Sequence, residues 1–115
     1  MNKKILVLDD EQDYIQALKN FLKELKYNVK VTMFPKHALE IIEKDKPDVV
    51  LFDYKLPDMD GDEFFKKAAV LSRGTKYILI TAYHDEATIN RFRKMGVNEV
   101  ILKPIDLEAL LKAIQ

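Results

Sequence analysis

Four apolar runs along the chain each end on polar side chains. KKILVL runs into Asp9-Asp10, DVVLF into Asp53, KYILI into Thr81, and EVIL into Lys103-Pro104. Short continuous apolar runs bounded by turn signals read as strands buried on both faces, as in a parallel sheet. Strands are therefore predicted over residues 3–8, 48–52, 76–81 and 99–102, with a shorter one over 29–33. Between them the period becomes helical. From Asp10 onward, Tyr14, Ile15, Leu18, Phe21, Leu22 and Leu25 fall on one face. Pro35 suits the first turn of a second helix, with Ala38, Ile41 and Ile42 on its apolar side and Lys46-Pro47 as its stop. A loop over 54–61 precedes a third helix carrying Phe64, Ala68 and Leu71, closed near Arg73-Gly74. Asp85 caps a fourth helix with Ile89, Phe92 and Met95, ended by Gly96. Asp106 caps the last, with Leu107, Leu110, Leu111 and Ile114 facing inward.

Five strand–helix units in succession imply a doubly wound α/β fold, a parallel sheet with right-handed crossovers and helices on both faces. Five strands fit the flavodoxin-like order 2-1-3-4-5, whose switch point lies between strands one and three. Asp9-Asp10 and Asp53 end those two strands.

Composition narrows the function classes. The 115 residues suit one domain, and 48% of them are apolar. Nineteen Lys+Arg balance nineteen Asp+Glu. Direct nucleic-acid binding, which needs a basic face, is not expected. There is no cysteine, hence no disulfide framework or thiolate metal site. No apolar run approaches the roughly 20 residues of a membrane span, and the N-terminus lacks the pattern of a signal peptide. A cytoplasmic protein with no membrane partner is the expectation.

Three carboxylates gathered at one switch point repel one another unless a cation joins them. All-oxygen donors select Mg²⁺ or Mn²⁺, and magnesium commonly pairs one or two carboxylates with phosphate oxygens. A carboxylate can itself be the nucleophile, forming an aspartyl phosphate; Asp53 is the candidate. Lys103 can meet a phosphoryl oxygen through a charge-assisted hydrogen bond, and Thr81 offers a hydroxyl. Lys103 precedes Pro104, where a cis peptide could turn the lysine inward.

With these residues in view the chain resembles a response-regulator receiver domain, the CheY-like family, over essentially its whole length. The resemblance rests on Asp9-Asp10, on Asp53 within DVVLFDYKLPDMDG, on Thr81-Ala82 and on Lys103-Pro104, in order and at matching strand ends. It implies that Asp53 accepts a phosphoryl group from a histidine kinase or phosphotransfer protein. Asp10, Asp53 and the backbone carbonyl of Lys55 would bind Mg²⁺, with Asp9 holding metal waters. Thr81 and Lys103 would contact the phosphoryl group. Helix four, strand five and helix five would form the partner face, with Ile89, Arg91, Arg93, Lys94 and Lys112 as candidates. A single receiver domain over 1–115 is expected, with no effector domain visible.

Receivers commonly carry an aromatic three residues before the site lysine; Val100 stands there, so output is expected to rest on the Thr81 loop and helix four, or on relay of the phosphate. Lys55 and Tyr83 are expected to flank the phosphoryl group and shield it from water. One rival is a haloacid-dehalogenase-like phosphatase, which wants an acid two residues after its nucleophile, where Lys55 stands. The other is a pseudo-receiver used only for protein contacts. The acidic run from Asp58 to Glu63 is not an EF-hand, because Leu56 and Lys67 occupy ligand positions. His37 and His84 read as surface residues.

Overall fold

The computed structural model of the chain describes residues 2–82 and 85–115. Five strands, β1 (Lys4–Leu8), β2 (Asn28–Thr32), β3 (Val49–Phe52), β4 (Lys76–Thr81) and β5 (Glu99–Leu102), alternate with five helices. These are α1 (Gln12–Glu24), α2 (Pro35–Asp45), α3 (Gly61–Leu71), α4 (Glu86–Met95) and α5 (Leu107–Ile114). The strands pair in parallel in the order β2-β1-β3-β4-β5, the flavodoxin-like arrangement expected.

Strand side chains alternate between faces, and two cores result. Ile5, Val7, Val49, Leu51, Ile78 and Ile80 pack with Ile15, Leu18 and Leu22 of α1 and Leu110 and Ile114 of α5. Leu6, Leu8, Val50, Phe52, Tyr77 and Leu79 pack on the opposite face with Ala38 and Ile42 of α2, Phe64, Phe65 and Ala68 of α3 and Phe92 of α4. With both faces covered, the central strands need apolar residues at every position, which is why they read as unbroken runs. Val100 lies opposite Leu79 in the ladder and packs against this second core.

Three local readings need correction. Gly74 does not cap α3: Ser72 does, in an extended conformation, and among the described residues the glycine with positive φ is Gly96 after α4. Leu25 is 44% exposed, because α1 has ended and Leu25 is its C-cap. Leu107 is also 44% exposed; it opens α5, and the core stripe begins a turn later at Leu110. Asp85 and Asp106 accept backbone N–H bonds as N-caps, as expected. Among the described residues no helix is long and apolar enough to cross a membrane.

Candidate functional site

The ladder continues one residue past several strands, and this fixes where the polar side chains emerge. Asp9 N–H donates to Thr32 O (3.3 Å), Asp53 N–H to Leu8 O (3.3 Å) and Lys103 N–H to Thr81 O (2.8 Å). The carboxyl ends of β1 and β3 therefore deliver their acids side by side. Asp9, Asp10 and Asp53 each offer an oxygen, and the three lie within 4.8 Å of one another. Asp9 and Asp53 are buried, at 3% and 9% exposure, while Asp10 is exposed at the rim.

Lys103 reaches in from the end of β5. Its Nζ donates to Asp53 Oδ2 (2.9 Å) and Asp9 Oδ2 (3.0 Å), and more distantly to Glu11 Oε1 (3.4 Å). The Lys103-Pro104 peptide is cis, as the X-Pro sequence allowed. Asp53 Oδ1 accepts the Tyr54 N–H (2.6 Å), and Asp9 Oδ1 accepts the Glu11 N–H (3.1 Å). One Asp9 oxygen thus closes a local turn onto Glu11, the N-cap of α1, and the other belongs to the lysine.

Burial pushes the Asp9 carboxyl above its ordinary value; the Glu11 N–H and Lys103 oppose this, and the neighbouring Asp53 charge adds to it. For Lys103, burial pulls the value down, but the hydrogen bonds and charges of Asp53 and Asp9 outweigh it. The lysine is held above the usual ammonium range and stays charged. One ammonium among Asp9, Asp10, Asp53 and Glu11 leaves an excess of negative charge. Three converging hard oxygens with that excess fit a divalent cation such as Mg²⁺.

These groups line an open cleft of ≈ 480 Å³ bounded by Asp10, Glu11, Asp53, Lys55, Ala82 and Lys103. Thr81 ends β4 and is fully buried; the next residue, Ala82, lines the cleft. Tyr83 and His84 lie outside the described residues. Lys55 pairs with Asp60 in an isolated antiparallel bridge that closes the β3–α3 loop, and Asp60 caps α3 by accepting the Glu63 N–H (2.9 Å). A second cavity of ≈ 220 Å³ lies beside the starts of β1 and β2, lined in part by Lys4, Lys30 and Asp45. There Lys30 already pairs with Asp45, and Lys4 Nζ with the Asp45 carbonyl, so it gathers no free reactive set.

Sequence reasoning missed two neighbours of the lysine. Glu11 carries no signal of its own beyond following the acidic pair directly, and its Oε1 lies 3.4 Å from Lys103 Nζ. Tyr14 belongs by its spacing to the apolar stripe of α1, yet its ring lies under Lys103 Nζ, 4.7 Å from centroid to nitrogen.

Residues 5–115 match the response regulator receiver domain family. The chain belongs to that family. This receiver domain is 31% identical over 115 residues to sporulation initiation phosphotransferase F of Bacillus subtilis, covering all of this chain and 93% of that protein. It is 33% identical over 113 residues to the transcriptional regulatory protein CrdR of Helicobacter pylori, covering 96% of this chain but 52% of that protein. Among solved structures it is similar to a CheY-like receiver domain protein from Methanospirillum hungatei, with TM-score 0.92 and 32% identity, covering 99% and 91% of the two chains. Receiver domains of two-component response regulators bind Mg²⁺ at an acidic Asp cluster, and this one carries such a group in Asp9, Asp10 and Asp53.

Proposed function

We propose that this domain accepts a phosphoryl group on Asp53 from a histidine kinase or phosphotransfer protein, in a Mg²⁺-dependent reaction, and then alters partner binding or relays the phosphate. One observation carries the reading: Asp53 is a carboxylate at the floor of an open cleft, with one oxygen on a backbone N–H and the other on Lys103. An Asp53 oxygen would form the new O–P bond as the donor's P–N bond breaks, and the released imidazole nitrogen would keep a proton taken from solvent. Lys103 is already at the carboxylate and would follow the charge onto a phosphoryl oxygen. Thr81 would supply a second donor. Thr81 is fully buried at the end of β4, so it would have to move to meet the phosphoryl group.

Asp10, Asp53 and the Lys55 carbonyl would hold Mg²⁺, with Asp9 positioning its waters. When bound, the cation offsets charge on the phosphoryl oxygens. A new phosphoryl group adds about −1.5 to −2 charges. Each hydrogen bond to it is worth roughly 1.5–3 kcal/mol, against about 5.5 kcal/mol for a complete two-state reversal. Lys103 and Thr81 together are on that scale. The domain would act in the cytoplasm as a phosphoacceptor rather than a turnover enzyme, with its α4–β5–α5 face offering Arg93, Lys94 and Lys112 to a protein partner.

Intact-mass analysis after acetyl phosphate and Mg²⁺ tests this. A single phosphoryl adduct in the wild type, absent from Asp53→Asn, is the expected result. Continuous release of phosphate from generic esters would instead mark a phosphatase. Absence of both the adduct and a beryllofluoride complex would mark a pseudo-receiver.

A further inference from the structure

Lys103 is held on three sides by acids, and the structure shows what closes a fourth. Tyr14, on the first turn of α1, sets its ring 4.7 Å from the ammonium. The Lys103 side chain is only 13% exposed, so little water competes for it. An ammonium over an aromatic face is attracted by the ring quadrupole, more strongly where it is desolvated. A lysine stem is flexible and holds its charge as a mobile point. Asp53 and Asp9 hold the ammonium at 2.9 and 3.0 Å, and Glu11, exposed, stands further off at 3.4 Å. The ring adds a contact that the acids do not supply.

We propose that Tyr14 is a positioning residue for Lys103, holding the ammonium over the Asp9–Asp53 pair for phosphoryl transfer. This rests on the phosphoacceptor reading of Asp53 given above. The phenol oxygen is not part of the device: it is buried and has no hydrogen-bond partner among the described residues. A buried hydroxyl left unpaired weakens a fold. Tyr14→Phe is therefore expected to fold at least as well and to keep the function, whereas Tyr14→Leu keeps an apolar side chain in the core but removes the ring face.

The test compares wild type, Tyr14→Phe and Tyr14→Leu, with Asp53→Asn as the blank. The rate of adduct formation from acetyl phosphate with Mg²⁺ is normalised to the folded fraction. Lys103 side-chain proton shifts are read by NMR in the same proteins without Mg²⁺. The expected result is a wild-type rate for Tyr14→Phe and a loss of about tenfold for Tyr14→Leu, the factor equivalent to about 1.4 kcal/mol of ammonium–ring attraction. The Lys103 methylene protons next to the ammonium should be ring-shifted upfield in wild type and Tyr14→Phe, and not in Tyr14→Leu. A wild-type rate in folded Tyr14→Leu overturns the proposal, as does a Lys103 shift that the leucine leaves unchanged. If Tyr14→Leu does not fold, the wild-type shift decides: upfield supports the contact, and a random-coil value overturns it. Failure of the wild type itself to form an adduct would sink the phosphoacceptor reading, and the shift comparison would still judge the ring contact.

Discussion

Arg91 on α4 grips Asp62 on α3 through two parallel bonds, Nε to Oδ2 at 2.8 Å and Nη2 to Oδ1 at 3.1 Å. The same guanidinium lies 5.9 Å from the ring centroid of Tyr54 and 5.5 Å from that of Phe92. Tyr54 stacks edge-on against Phe92 of α4, at 5.6 Å, while its N–H holds Asp53 Oδ1. The residue after the candidate phosphoacceptor is thus physically joined to α4. Arg91→Ala should speed amide hydrogen exchange across α4 while leaving α1 unchanged. Arg91→Lys should not restore protection, since an ammonium cannot reproduce the planar two-bond grip. Equal exchange in α4 of all three proteins would show that the grip holds nothing in place.

The strands were legible because both sheet faces are buried: Val49, Val50, Leu51 and Phe52 are all apolar and buried, a short unbroken run that suits a central parallel strand. The acids and the lysine were legible because each follows directly on such a run. What escaped depended on contacts between distant elements. Tyr14 and Lys103 are remote in sequence, and nothing local marks the tyrosine as anything but part of the α1 stripe. Asp62 lies in the first turn of α3, and its pairing with Arg91 depends on how α3 and α4 pack. Gly74 misled because glycine commonly ends helices, yet here α3 stops earlier, on Ser72, whose hydroxyl joins Thr75 Oγ1 at 2.6 Å.

Asp10 brings a third carboxylate within 4.8 Å of Asp9 and Asp53, which already share Lys103, and like charges so close repel. Asp10→Asn should raise stability in the absence of Mg²⁺, by on the order of 1 kcal/mol for a rim charge at a surface-like dielectric. Mg²⁺ at ten times its dissociation constant should add about 1.4 kcal/mol to the wild type and much less to the variant. Urea unfolding with and without Mg²⁺ gives all four values. An equal Mg²⁺ increment in both proteins would remove Asp10 from the binding site.

Tyr77 sets the behaviour at high pH. Its hydroxyl donates to the carbonyls of Ala68 (2.9 Å) and Ser72 (3.0 Å) in the core. Burial pushes it up to about 12, against a small opposing effect from Thr75. A raised value means that the folded state resists losing the proton. Its stabilisation is therefore complete below pH 10 and is lost as the pH climbs from 10 through about 12, on the order of 2 kcal/mol in all. Tyr77→Phe should lose about 1 kcal/mol at pH 7 with the hydrogen bond, and its stability should fall less steeply above pH 10. Parallel pH curves for the two proteins would show that the hydroxyl does not carry the effect.

Gly61 governs the loop that carries Asp53. It is the first residue of α3, and its N–H donates to Tyr54 O at 2.8 Å. A Cβ there would lie 3.1 Å from Tyr54 Cα, 3.2 Å from Tyr54 O and 3.3 Å from Asp53 O. All three are backbone atoms, so no side chain can swing aside; the loop itself must shift. Alanine favours a helix over glycine by about 1 kcal/mol at an interior position, and by less at the first residue. Overpacking typically costs about 1–3 kcal/mol, so the clash should win. Gly61→Ala is expected to lose about 1 kcal/mol of stability, to move the Tyr54 and Lys55 amide signals, and to bind Mg²⁺ more weakly, because the Lys55 carbonyl belongs to the segment displaced. An alanine variant as stable as the wild type, with those amides unmoved, would mean that the loop has room the contacts deny.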